Sequence, residues 1–206
     1  MTSTLCHTSD VIQLEEADVS AMPWADHLMS LDDWAALPED TSHHYELVEG
    51  VLQVSPRPAS DHQWALTELA YQLRGQLPTE LVALPEVEVV LAPQLPATVR
   101  TPDLVVVPRS VAVTSPTRYQ SDDVLLAVEV ISPGSRERDE VTKLYEYSEA
   151  GIPGYWLVDL EDQVSLTAYL LVDGEYEVVG KGGGTVPLTE PVAVTVDMGA
   201  LLPHRT

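Results

Sequence analysis

The chain has 206 residues, 45% of them hydrophobic and 21% charged, which suits one domain with a substantial core and some decoration. Ten Lys and Arg against 33 Asp and Glu give a formal charge of −23, which argues against a broad basic face for gripping nucleic acid. No apolar run approaches the roughly 20 residues that cross a bilayer, and residues 1–40 lack the basic start and apolar stretch of a secretory signal.

Cys6 is the single cysteine, so no internal disulfide forms and a cytoplasmic protein is expected. Nine of the acids fall in residues 1–40, yet the remaining 24 acids against ten bases still leave −14. Any contact with phosphates must concentrate the few bases locally or use metal ions; otherwise the partner is something else.

Residues 1–29 are polar, acidic and without sustained periodicity, and read as a mobile tail ahead of a single domain over 30–206. Ser30 to Leu37 reads as a short helix, with Ser30 as its cap, Asp33 as the capping-box partner and Pro38 as its stop. Residues 45–54 alternate as a hairpin turning at Glu49-Gly50. Over 61–77, Trp64 (or Ala65), Leu66, Leu69, Ala70, Leu73 and Leu77 recur at helical spacing.

Three strand-like runs follow, at 81–91, 103–107 and 124–131, the last two apolar enough to be buried on both faces. A second helix is expected over 136–150, with Val141, Leu144, Tyr145 and Ser148 along one stripe and Gly151 and Pro153 at its exit. A strand at 154–159 comes next, then shorter ones near 164–171 and 175–179, a flexible Gly182-Gly183-Gly184, and a last strand near 192–196. The order of elements predicts an α/β or α+β fold: a mixed sheet flanked by helices, an N-terminal hairpin and a C-terminal β-meander.

Two acids stand where acids are expensive. Asp103 opens a buried strand after Pro102, and Glu129 lies within Val128, Val130 and Ile131. Such a carboxylate must be paired, protonated or bound to metal. Two of them on successive buried strands suit Mg²⁺, which takes oxygen ligands; Asp103 alone would equally serve as a strand-end cap. Lys143 shares a helix face with Asp139 and Tyr147, and alone would read as a solvent-facing lysine paired with Asp139. Gly180-Lys181-Gly182 lacks the spacing and following helix of a phosphate loop, and His43-His44 lacks the partners of a structural zinc site, so no zinc is expected.

Several short motifs recur in a fixed order. Tyr45-Glu46-Leu47 with Gly50, Ser55-Pro56, His62 and Pro102-Asp103 form a first half. Val128-Glu129-Val130-Ile131-Ser132-Pro133, Asp139, Lys143-Leu144, Tyr147, Ala150-Gly151 and Tyr155-Trp156-Leu157-Val158-Asp159 complete it. In that order and spacing, over roughly residues 30–200, the chain resembles the Uma2 family (DUF820) of the PD-(D/E)XK nuclease superfamily. The resemblance implies a restriction-endonuclease-like fold and Mg²⁺- or Mn²⁺-dependent hydrolysis of phosphodiesters in nucleic acid, DNA first. It implies Asp103 and Glu129 as metal ligands and catalytic residues, with Glu46 as an additional acid for which Glu49 and Glu68 are rivals.

The superfamily places a lysine two residues after the second acid; here that position is Ile131, and the resemblance moves the lysine role to Lys143 on the next helix. Lys143 would then orient or deprotonate the attacking water or stabilise the transition state. His62 is either an assistant at the site or a structural histidine at the start of its helix. A homodimer follows from symmetry base rates alone. The competing reading is a catalytically inactive nuclease-fold protein acting as a binding or assembly module, favoured by the −23 charge and by Ile131.

Overall fold

A computed structural model describes residues 27–38, 43–132, 134–161 and 163–203. Most of the predicted tail, 1–26, lies outside the described residues, as does Pro133 at the approach to the second helix. Within that frame Ser30 caps α1 (Leu31–Ala35) through a reciprocal capping box with Asp33. Strands β1 (His44–Val48) and β2 (Val51–Ser55) form the expected hairpin. Its two-residue turn puts both Glu49 (φ 48°) and Gly50 (φ 76°) in the left-handed region, the geometry that matches strand twist. Gly50 is also needed for space, since a Cβ there would lie 2.9 Å from Leu28 Cβ.

Helix α2 (Ser60–Gln76) buries Ala65, Leu66, Leu69 and Leu73, as the periodicity requires; Trp64 is the exposed member of the Trp64/Ala65 pair. Each of those leucines contributes on the order of 1.5–3 kcal/mol by leaving water. The run at 81–91 is not one strand. It splits into β3 (Leu81–Pro85) and β4 (Val89–Ala92), which join different sheets across Glu86 at φ 48°. Then come β5 (Thr98–Arg100), β6 (Leu104–Pro108), a single-turn α3 (Arg109–Ala112), β7 (Tyr119–Gln120) and β8 (Leu126–Ile131).

The large sheet runs β11-β10-β9-β8-β6-β3, where β9 is Gly154–Asp159, β10 Ser165–Val172 and β11 Glu175–Gly183. Only the central pair β8–β9 is parallel; β9, β10 and β11 form the expected meander. The small sheet runs β2-β1-β5-β4-β7, and β12 (Thr185–Leu188) pairs with β13 (Val194–Asp197) apart from both. Alternate residues of β8 serve two cores. Leu126, Val128 and Val130 face α2, while Ala127 and Ile131 face Tyr147 and Tyr155.

Two further expectations are corrected. Gly182 and Gly183 are not a flexible link but the end of β11, paired with Leu166 and Ser165. Their lack of side chains is used for close approach: a Cβ on Gly183 would meet the Val164 carbonyl at 2.9 Å, and one on Gly180 would meet Leu188 at 2.6 Å. The second helix is a π-helical segment (Arg138–Lys143) running into α4 (Leu144–Glu149), and its inward face is not the predicted one. Val141 and Tyr145 are exposed, whereas Asp139, Lys143 and Tyr147 are buried. The wider π turn lets residues four and five apart share a face, and here that face is polar.

Candidate active site

Asp103 and Glu129 meet because of the β6–β8 register. Leu104 pairs with Val128, so the next position outward sets Asp103 beside Glu129 on one side of the sheet. The Val130 amide donates to Asp103 Oδ2 at 2.7 Å, and His62 Nε2, at the start of α2, donates to the same oxygen at 3.1 Å. Both bonds fall on one oxygen. The His62 charge is favoured: burial works against it, but the Asp103 carboxylate outweighs burial and raises its pKa.

Glu129 is 3% exposed. Its Oε1 accepts from the Tyr147 hydroxyl at 2.7 Å and faces Lys143 Nζ at 2.7 Å. Lys143 also stands 3.6 Å from Glu46 Oε1 and 3.7 Å from Asp139 Oδ1. It is 5% exposed and not a surface lysine. Burial disfavours its charge, but Glu129, Glu46 and Asp139 overcome that and hold the ammonium protonated.

Glu46 arrives from β1 of the small sheet. Arg100, on β5 and only 1% exposed, donates through one guanidinium nitrogen to Glu46 Oε2 at 2.9 Å and clasps both oxygens of Glu146. The Thr101 amide donates to Glu46 Oε1 at 3.1 Å. Burial pushes the Glu46 carboxyl upward, but Lys143, Arg100 and the Thr101 amide more than reverse it and hold it at about 2. Glu129 goes the other way: burial, reinforced by the neighbouring carboxylates and opposed by Lys143, pushes it up to about 8. Burial likewise raises Asp139.

These side chains line one cleft of about 180 Å³, with Glu46, His62, Asp103, Glu129, Asp139 and Lys143 around it. Glu49 is exposed at the hairpin turn and Glu68 bonds Gln72; neither lines the cleft. Ile131 packs in the apolar core with Tyr147 and Tyr155. Arg100 carries no signal specific enough to find it from sequence, reading as a strand-end base 46 residues from its partner Glu146. Asp139 stands among the recurring motifs, but its spacing alone reads as a helix acid four residues from a lysine.

The donor set suits a hard cation, being carboxylate oxygens with one buried oxygen, Asp139 Oδ1, that has no hydrogen-bond partner. Among the described residues, no group of three or more His, Cys, Asp or Glu forms a metal-holding cluster on its own. Mg²⁺ commonly takes only one or two protein carboxylates and keeps several waters. Among the described residues no helix is long and apolar enough to cross a membrane.

Comparison with known proteins places this architecture. A crystal structure of a "putative nuclease belonging to DUF820" from Anabaena variabilis ATCC 29413 is similar in fold, with a TM-score of 0.63 at 18% sequence identity. The match covers 84% of this chain and 97% of that one. No curated protein matches the sequence. The Uma2 family, described as "putative restriction endonuclease", matches residues 31–199, and the chain belongs to that family.

Proposed function

We propose that the protein is a metal-dependent nuclease that hydrolyses phosphodiester bonds of nucleic acid, DNA first. The observation that carries this reading is the Lys143 ammonium, buried and 2.7 Å from Glu129 in the cleft that Asp103 shares. Asp103 and Glu129 would hold Mg²⁺ or Mn²⁺, completed by water. When bound, the ion supplies Lewis-acid polarisation of the phosphate and neutralises charge as it develops.

The chain's own residues do the rest. His62 and the Val130 amide fix one oxygen of Asp103, leaving the carboxylate a single orientation. Tyr147 does the same for Glu129. Lys143 keeps its proton and so works as a hydrogen-bond donor to water or phosphate, not as a base at neutral pH. Glu46, held ionised by Arg100, is the acid best able to keep that ammonium in place.

A second reading, an inactive binding or assembly module, is favoured by the −23 charge. Purified protein incubated with plasmid, single strands and RNA over a range of Mg²⁺ and Mn²⁺ separates the two. Metal-dependent cleavage that disappears in Asp103→Ala supports the nuclease. No turnover of any substrate, with metal binding intact, supports the module.

A further inference from the structure

The chain has ten bases, and five of them are engaged. Arg100, Arg118, Arg136 and Lys143 sit in ion pairs, and Arg109 donates to the Thr79 and Leu81 carbonyls. Among the described residues Arg57, Arg74, Arg138 and Lys181 have no hydrogen bond or ion pair. Two of these four, Arg57 and Arg138, line the cleft that holds Asp103 and Glu129; Arg74 and Lys181 do not.

Their settings differ and complement each other. Arg57 is exposed on the segment joining β2 to α2, between Pro56 and Pro58, whose fixed φ angles restrict the loop that carries it. Arg138 opens the π-helical segment, and its Nε is buried with no acceptor. A buried guanidinium N–H without a partner in the protein is rare, and a water or an incoming phosphate oxygen can satisfy it.

We propose that Arg57 and Arg138 form a two-point phosphate clamp at the cleft, and that the substrate it admits is a single flexible nucleic-acid strand, not a duplex. The inference rests on the nuclease reading above. Guanidinium forks match phosphate oxygens, and both stand on the cleft where the scissile phosphate must sit. Duplex binders commonly neutralise about 6–10 phosphates along a basic face. Here two cations without a hydrogen bond or ion pair, one of them (Arg138) acting through its charge on Asp139, line the cleft of a protein carrying −23. A rigid duplex would bring its remaining phosphates to a protein of strongly negative net charge. A flexible strand delivers one or two phosphates into about 180 Å³ and turns the rest away.

The test is fluorescence anisotropy of the full chain with a short fluorescein-labelled single strand and with the same sequence closed as a hairpin duplex. Ca²⁺ replaces Mg²⁺ to hold back turnover. The single strand should bind more tightly than the hairpin. Two contacts on a single strand predict a slope of about −1.4 in log–log salt dependence, roughly a sevenfold loss for a fourfold rise in salt.

Arg57→Gln and Arg138→Gln should each weaken binding several-fold and flatten the slope by about 0.7. Arg74→Gln removes the same charge from an exposed position on α2 and should change neither. Because Arg57 is exposed, its variant carries the test even if Arg138→Gln proves poorly folded by circular dichroism. Equal effects of Arg74→Gln and Arg57→Gln, or tighter and steeper binding of the hairpin, overturn the proposal. If wild type cleaves the single strand while both cleft variants bind it as wild type does, the clamp fails and the nuclease reading stands. If wild type neither binds nor cleaves either probe, both fail.

Discussion

Lys143 Nζ reaches Glu129 Oε1 at 2.7 Å from a helix, while Ile131, two residues beyond Glu129 on the same strand, packs into hydrocarbon. The ammonium thus enters the acidic cluster from a separate element. Its position depends on how the π-helical segment and α4 dock on the sheet, and the Tyr147 hydroxyl on Glu129 fixes that docking one turn further on.

Lys143→Met keeps most of the stem and discards the charge. It should abolish cleavage and destabilise the fold by about 3 kcal/mol near neutral pH, the low end for breaking a buried pair, because Glu129 can retain a proton. The loss should shrink in mild acid. Adding Glu129→Gln should restore much of the stability and none of the activity. Urea unfolding of the two single variants and the double variant, with a cleavage assay on each, measures this; a fully active Lys143→Met would remove lysine from the site.

Asp103→Ala and Glu129→Ala should each reduce metal-dependent cleavage to background while leaving the far-ultraviolet spectrum unchanged. In the proposed site each would remove a ligand oxygen from an ion with few protein ligands to spare. Glu129→Gln should be the most stable of the set, since it preserves volume and discards an acid that burial pushes up to about 8. Undiminished activity in either alanine variant would move the reaction centre elsewhere.

Much of the fold is legible from periodicity. The spacing of Leu66, Leu69 and Leu73 sets the inward face of α2, and Glu49-Gly50 specifies the hairpin turn. Other elements are hidden by physics that sequence patterns do not carry. Strand β5 is three residues long and closely follows Pro96, so its fully buried Thr98-Val99-Arg100 gives no periodic signal. The apolar run from Leu81 conceals a left-handed Glu86 and a change of sheet.

The second helix misleads most. Its apolar stripe through Val141 and Tyr145 faces outward, because the ion pairing of Lys143 and the Glu129–Tyr147 bond decide which face turns in. The convergence of Glu46, Glu129 and Lys143 is likewise tertiary. The family resemblance implies it, whereas the local spacing of these residues does not.

Mg²⁺ or Mn²⁺ should raise the thermal midpoint of the wild type, since a ligand that binds only the folded state stabilises it by mass action. Asp103→Asn should remove most of that gain. The same substitution relieves repulsion on Glu129 but also removes the charge that favours protonated His62, so the metal-free midpoint should move less than the metal-induced gain does. Differential scanning fluorimetry over a metal series reads both effects. Identical shifts in wild type and variant would put the ion on the acidic surface instead.

Glu46 sets an acid limit on stability whose sign follows from its environment. Burial opposes its charge, but Lys143, Arg100 and the Thr101 amide hold the folded carboxyl at about 2, below its ordinary 4.5. A depressed folded pKa contributes stability that is present above the unfolded value and lost as pH falls through the folded one. The window is therefore pH 4.5 down to 2, and the full contribution is about 3 kcal/mol. Glu46→Gln should be less stable than wild type at neutral pH, with Arg100 then held by Glu146 alone. Its stability should depend less steeply on pH within the window, and the two proteins should converge near its lower end. Chemical unfolding at closely spaced pH values from neutral downward provides the comparison. Parallel curves over the whole range would mean that the acid sensitivity resides in other carboxylates and that the Arg100–Glu46 contact adds nothing to it.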